Sequence, residues 1–579
     1  MMLSAAPSDV AGSSTAAGDP AARLSALFEE EWQQRLADDP MMASRLGDAR
    51  YGDRWPDLSP EAIQRRETRE KDVLARLAVI PTSQLNVSRR LDADIFRRRY
   101  EQAVAEQRFR GHLLPINHME GIQSLTQEIS SFPFRDLKDY ENWIARLKTF
   151  PLYMDQTIAL MKEGIRTGIV HPRVIMERVP EQIAAQIVED PGKSGFFGPF
   201  ERFPESIDEK DRARLTAEAK SLIARNVVPA YRSFAAFFET EYLPACPVDI
   251  AASRRPLGEE WYTTLARRFT TTDLTPTQIH EIGQKEVARI RTAMEKTMRD
   301  AGFAGSFDEF LAFLRSDRRF HYSDPNELLL NYRALSRRID PGLVKLFKTL
   351  PRTPYGVEPI PDDIAPDTTT AYYRQPAADG SRAGTYFVNL YRPEVRPIYE
   401  MEALSLHESV PGHHFQIALA MEREDLPSFR RYDDITAFVE GWGLYAESLG
   451  DDLGFYKDPY SKFGQLTYEM WRAVRLVVDT GMHAMGWTRQ EAIDFFKRNA
   501  AKSEHDIVNE IDRYIAWPGQ ALAYKIGELK IKELRARSEA ALGGRFDVRE
   551  FHDVVLLGGA IPLDVLETRV DAWIASQKK

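Results

Sequence analysis

One cysteine, Cys246, stands in the whole chain of 579 residues. No intrachain disulfide can form, and no cysteine-based zinc module can be assembled, so metal ligands have to come from His, Asp or Glu. Cationic excess is lacking too: 77 Lys and Arg face 87 Asp and Glu, a net charge of −10. Duplex binding needs a clustered positive footprint, so the expectation is no nucleic-acid partner. No apolar run reaches the roughly 18 residues of a membrane-spanning helix, and no membrane span is expected. Residues 1–20 lack the basic segment and continuous apolar stretch of a secretory signal. Rich in Ala, Ser and Gly, they read as a disordered leader that cannot offset its ordering entropy. The compartment stays open between export, with the signal missing from this chain, and the cytoplasm.

What is present is an ordinary globular composition, 43% hydrophobic and 28% charged. Helical periodicity begins after residue 21: Leu24, Leu27, Phe28 and Trp32 share one face, and Leu91, Ile95, Tyr100 and Val104 another. Further helices are predicted over 217–242 and 275–301, the second opening on Thr275-Pro276 as N-cap and first residue. Between about 350 and 397 the pattern turns strand-like, with β-branched and aromatic residues near period two in 369–373 and 385–391. The fold class is therefore mainly α with a small β-sheet near 357–392. Helix returns to the C-terminus, broken at Pro411-Gly412, Pro459 and Pro518-Gly519.

Chemistry concentrates in His407-Glu-Ser-Val-Pro-Gly-His-His-Phe-Gln416. A His-Glu-x-x-His zinc motif works because i and i+4 share a helix face, but here Pro411 stands four after His407. On an unbroken helix His413 would lie about 240° around from His407, and His414 about 10.5 Å further along. Pro411 cannot continue the helix, and Gly412 tolerates dihedrals other residues avoid, so a kink can swing a later histidine back. His413 is favoured as second ligand and His414 is the alternative.

The segment 435–449 carries the stripe Ile435, Phe438, Trp442, Tyr445, Leu449 and otherwise small or apolar residues, which predicts a helix buried nearly all round. Its only charges, Glu440 and Glu447, share one face. A buried carboxylate requires a cation, either a metal or an Arg or Lys partner. Glu440 is read as the third ligand and Glu447 as the carboxylate that orients a ligating imidazole. Two His nitrogens and one carboxylate leave an open position, as in catalytic zinc sites, with Glu408 as general base.

Arg475, Asp479 and His483 fall at i, i+4 and i+8 of a predicted helix over 466–485 and read as a charge-paired ladder supporting the site, with His483 toward an oxyanion. After Pro518-Gly519, Gln520 and Tyr524 share a face: Tyr524 is a candidate oxyanion donor, and Gln520 and Lys525 candidate substrate contacts, Lys525 for a carboxylate. Segment 384–392, containing Asn389, reads as an edge strand able to align an extended peptide. Each of these residues has an equally plain structural reading as core, ladder or sheet.

The four ordered motifs His407–Gln416, Glu440-Gly-Trp-Gly-Leu-Tyr-Ala-Glu447, Arg472-Ala-Val-Arg-Leu-Val-Val-Asp-Thr-Gly-Met-His483 and Pro518-Gly-Gln-Ala-Leu-Ala-Tyr-Lys-Ile-Gly527 resemble the bacterial family catalogued as domain of unknown function 885, from about residue 25 to the end. That family is similar to helical zinc peptidases with a Glu third ligand, of the angiotensin-converting-enzyme and carboxypeptidase Taq types. The resemblance implies a large two-lobed helical fold around a deep cleft, one zinc ion and oligopeptide substrates. The lobes would be about 21–350 and a zinc-bearing 351–579. Family members often look exported or lipid-anchored, whereas no lipobox cysteine stands near this start. Rival readings are a zinc amidohydrolase on a non-peptide amide and a non-catalytic peptide- or metal-binding protein.

Overall fold

The computed structural model describes residues 19–362, 365–367, 369–500 and 502–578. The expected leader lies outside them up to residue 18, but its last two positions are ordered. Asp19 accepts from the Ala21 N–H as N-cap, and Pro20 opens the first helix, Pro20–Asp38, whose buried face carries Leu24, Leu27, Phe28 and Trp32.

Helices dominate the described chain. Pro276–Asp300 starts on a capping box between Thr275 and Gln278. The region expected to be helical over 217–242 is wound from Glu209 to Ala245 and contains two wide π turns, Ile223–Val227 and Phe238–Tyr242. Each comes just before a proline, Pro229 or Pro244, whose missing N–H and ring bulk forbid the regular i−4 bond.

Three strands form the only sheet among the described residues: β1 Tyr355–Pro359, β2 Ala371–Arg374 and β3 Gly384–Val388, in the order β1-β3-β2. β3 pairs parallel with β1 and antiparallel with β2, and all five of its residues are buried. This corrects the edge-strand expectation: the chain before it supplies a strand for each side, so β3 has no ladder left for a peptide.

One hydrophobic cluster runs from Leu24 to Ile574. Its axis is Pro459–Ala484, buried from Phe463 to His483. Pro276–Asp300 lies along that helix, and a Cβ on Gly283 would come 2.7 Å from Leu476 Cβ. Helix Ala523–Leu542 crosses Thr436–Ser448 more closely still, at Gly441 and Gly527, where a Cβ on Gly527 would come 1.9 Å from the Ala437 carbonyl oxygen. These crossings bring His407–Gln416, Thr436–Ser448 and Pro459–Ala484 to one place.

Candidate metal centre

Helix Met401–Glu408 stops at the predicted break, and helix His413–Met421 restarts after it. The Val410–Pro411 peptide between them is cis, and the Trp442 indole N–H donates to the Pro411 carbonyl at 2.8 Å. Gly412 is required by close approach: a Cβ there would meet the His407 carbonyl oxygen at 1.9 Å. So the turn doubles back on the helix that carried His407.

The result is a cluster of His407, His413 and Glu440, whose nearest donor atoms all lie within 4.8 Å of one another. Glu440 Oε2 is 3.5 Å from His407 Nε2 and 3.4 Å from His413 Nε2. Ligands at zinc–N and zinc–O distances of about 2.0–2.2 Å in a tetrahedron stand roughly 3.3–3.6 Å apart, so these separations fit. Glu440 Oε2 is buried and has no hydrogen-bond partner, the kind of orphan a cation would satisfy. The Glu440 side chain as a whole keeps 19% exposure, more than the all-round burial predicted for its helix, so the cluster opens to one side.

Both imidazoles are held from behind. His407 Nδ1 lies 2.8 Å from Glu447 Oε1; a carboxylate only accepts, so the proton sits on Nδ1 and Nε2 is left for a ligand. Burial opposes charge on His407, yet Glu440 and Glu447 together raise its pKa to about 9, so a cation at Nε2 would have to displace a second proton from that nitrogen. Burial also opposes ionisation of Glu440, but the two imidazoles hold it well below the usual carboxylate range. Glu447 is fully buried, with Arg472 at 3.9 Å. Gly443 leaves the room the ring needs, since a Cβ there would be 2.8 Å from His407 Cε1. Gln416 Nε2 lies 3.0 Å from His413 Nδ1 and donates to Val439 O at 2.8 Å, while its Oε1 has no partner among the described residues. Arg472, Trp442 and Gln416 were not assigned roles from sequence, although all three lie inside the four motifs. Glu447→Gln keeps the shape and removes the charge; the affinity of the cluster for added zinc should fall about 10–100-fold, measured by titration in competition with a chelator.

His414, the alternative ligand, points elsewhere. Its Nε2–H donates to Thr353 O at 3.1 Å and its Nδ1 accepts from the Tyr373 hydroxyl at 3.0 Å, while burial lowers its pKa to about 4. Glu408 ends its helix with little exposure, and among the described residues its carboxylate has no hydrogen-bond or ion-pair partner.

Several sequence expectations are corrected. His483 cannot serve an oxyanion: its Nδ1 accepts from the Ala252 N–H at 3.1 Å and its Nε2–H donates to Tyr514 O at 2.9 Å. Arg475 and Asp479 do not form a ladder with it. Arg475 donates to the Tyr514 hydroxyl and to Glu510. Asp479 accepts from the Tyr262 hydroxyl at 2.6 Å and the Gly519 N–H at 3.1 Å, with burial lifting its pKa to about 7. Asn389 closes its own loop, donating to Ala365 O and Thr369 O and accepting from the Tyr391 N–H. Lys525 is 0% exposed and paired with Glu469, Glu528 and Glu286, so no substrate carboxylate can reach it. Burial opposes its charge, and those three carboxylates overcome that cost and raise its pKa. Lys525→Met should destabilise the fold by about 3–5 kcal/mol by stranding buried carboxylates, read by denaturant unfolding.

Tyr524 and Gln520 remain together. Arg513, unassigned from sequence, donates to the Tyr524 hydroxyl at 3.1 Å and to Gln520 Oε1 at 3.2 Å. The Tyr524 proton has no acceptor among the described residues, and its helix crosses the Glu440 helix one turn on, at Gly527. A donor role for Tyr524 is compatible with that placement; Gln520 is committed to Arg513.

The model of the family described as bacterial protein of unknown function (DUF885) matches residues 40–570. No curated protein matches the chain. Among solved structures, the chain is similar to a “putative lipoprotein” from Colwellia psychrerythraea, with 28% identity, 96% of this chain and 100% of that chain covered, and a TM-score of 0.92. It is also similar to a “putative lipoprotein of unknown function” from Shewanella oneidensis, with 16% identity, 95% and 99% covered, and a TM-score of 0.70, a likeness of fold alone.

Proposed function

This chain belongs to the DUF885 family, and from that premise we propose that it is a zinc-dependent hydrolase, a metallopeptidase that cleaves short peptides. The observation that carries the reading is the meeting of His407, His413 and Glu440 around an orphaned Glu440 Oε2, with a partnerless Glu408 next in sequence to His407. A structural zinc site closes all four positions with protein ligands, whereas three ligands and a free base are the catalytic pattern.

Zinc held by those three side chains would supply Lewis acidity and an open ligand position. Glu408 takes a proton from the attacking water and hands it to the leaving amine. Glu447 fixes the tautomer of His407, and Arg472 offsets the Glu447 charge. Tyr524 offers its O–H to the oxygen on which charge develops. The retained base favours an enzyme over a purely binding protein, which has no use for an unpaired carboxylate beside its ligands. No described helix is long and apolar enough to cross a membrane, and similarity to the Colwellia “putative lipoprotein” supports export over the cytoplasm.

The test is a digest of a peptide library followed by mass spectrometry, on protein purified without chelators and assayed for metal. Expected are near-stoichiometric zinc and cleavage of short peptides that a chelator stops and added zinc restores. Absence of zinc would sink the hydrolase reading. A zinc-loaded protein that spares every peptide but hydrolyses N-acyl amino acid amides would replace peptidase by amidohydrolase.

A further inference from the structure

A second cavity, of about 230 Å³, lies between segments 168–172, 245–255 and 515–518. None of His407, His413 or Glu440 lines it. Its walls are mostly apolar, with Val170, Ile250, Ile515 and Pro518 beside the Trp261 ring. They are also anchored: the Ala252 N–H is bonded to His483 and the Gly519 N–H to Asp479, both on the central helix Pro459–Ala484.

The charge of this cavity is not balanced. Arg255 lines it with its guanidinium 4.1 Å from the Trp261 ring centroid. Among the described residues the Arg255 side chain has no ion pair and no hydrogen bond, and its Nε is buried without a partner. The one acid in the lining, Asp249, pairs with Arg254 at 3.5 Å. His171 also lines the cavity, but burial lowers its pKa to about 3 and keeps it neutral. Burial lowers Arg255 only to about 10, so it stays charged. Arg255 is half-buried with its Nε cut off from water and no anion beside it among the described residues, and a planar carboxylate would meet the guanidinium fork with two parallel bonds.

We propose that this cavity binds a small apolar monocarboxylic acid, its carboxylate on Arg255 and its hydrocarbon part, aromatic or branched, among Val170, Ile250, Ile515 and the Trp261 ring. Size agrees, since a cavity of about 150 Å³ already takes benzene. The single uncompensated cation selects a monoanion. A phosphate dianion would bring more charge and more acceptors than one guanidinium satisfies. The site is independent of the zinc centre and of whether that centre hydrolyses peptides.

The experiment is a calorimetric and tryptophan-fluorescence titration of the full chain with phenylacetate, with phenylacetamide as its uncharged match. Phenylacetate should bind saturably at one site and about tenfold or more tighter than the amide, the scale of a charge-assisted hydrogen bond. Arg255→Met should remove that difference and lower the unfolding midpoint only slightly, because the side chain loses its stacking on the Trp261 ring but no hydrogen bond or ion pair. Trp261→Phe should lose the fluorescence change and bind phenylacetate more weakly by calorimetry, because that ring both walls the cavity and carries the Arg255 guanidinium. Equal affinity for acid and amide, unchanged binding in Arg255→Met, or no saturable binding up to the solubility limit each overturns the proposal. Displacement of phenylacetate by inorganic phosphate at equal concentration overturns its apolar half.

Discussion

Glu408→Gln should leave the protein folded and zinc-loaded and lower hydrolysis by about 10²–10⁴-fold, the usual worth of a positioned general base. The substitution is nearly isosteric. Because Glu408 has no hydrogen-bond or ion-pair partner among the described residues, nothing structural is lost with its charge. That separates it from Glu440, which faces both imidazoles, and from Glu447, which is hydrogen-bonded to His407. The decisive comparison is turnover per bound zinc, measured on wild type and variant with one peptide substrate. Unchanged turnover at equal zinc would take Glu408 out of the reaction, and loss of zinc in the variant would make it a ligand instead.

His413→Ala should strip the protein of most of its zinc during purification, whereas His414→Ala should keep it. The two residues are adjacent in sequence, and only the fold separates them. His413 Nε2 faces Glu440 at 3.4 Å, while both nitrogens of His414 are consumed by Thr353 and Tyr373. Loss of a direct ligand should exceed the roughly 10–100-fold drop expected for an outer partner such as Glu447. The cost of His414→Ala should instead be about 1–3 kcal/mol of stability, from a lost hydrogen bond and an unsatisfied buried partner. Metal analysis and denaturant unfolding of the two variants settle the assignment, and equal zinc in both would remove His413 from the ligand set.

Much of the architecture was legible because it depends on local pattern. The stripe Phe438, Trp442, Tyr445 and Leu449 is fully packed, as its 3.6-residue period requires. Glu440 and Glu447 emerge on one face because they are seven residues apart, two turns of helix. The three-stranded sheet falls where β-branched and aromatic residues cluster, though the sequence did not show that a strand at Tyr355–Pro359 would cover the second edge of β3. Strand neighbours come from hydrogen bonding across the chain, and no local period encodes that.

The supporting residues show the opposite case. Lys525, Arg475, Asp479 and His483 have the right types and spacing for a site, yet each is used up by an element distant in sequence. Glu469 and Glu286 take Lys525. Glu510 and Tyr514 take Arg475, Tyr262 takes Asp479, and Ala252 takes His483. A buried polar group must be satisfied by whatever packs against it, and that neighbour is chosen by helix crossing. Sequence alone therefore determined the helical class, the break at Pro411-Gly412 and the residue types able to hold a metal without cysteine. Only the tertiary structure decided that His413 rather than His414 turns back to His407 and Glu440, and that Lys525 belongs to the core, because those outcomes depend on which helices meet.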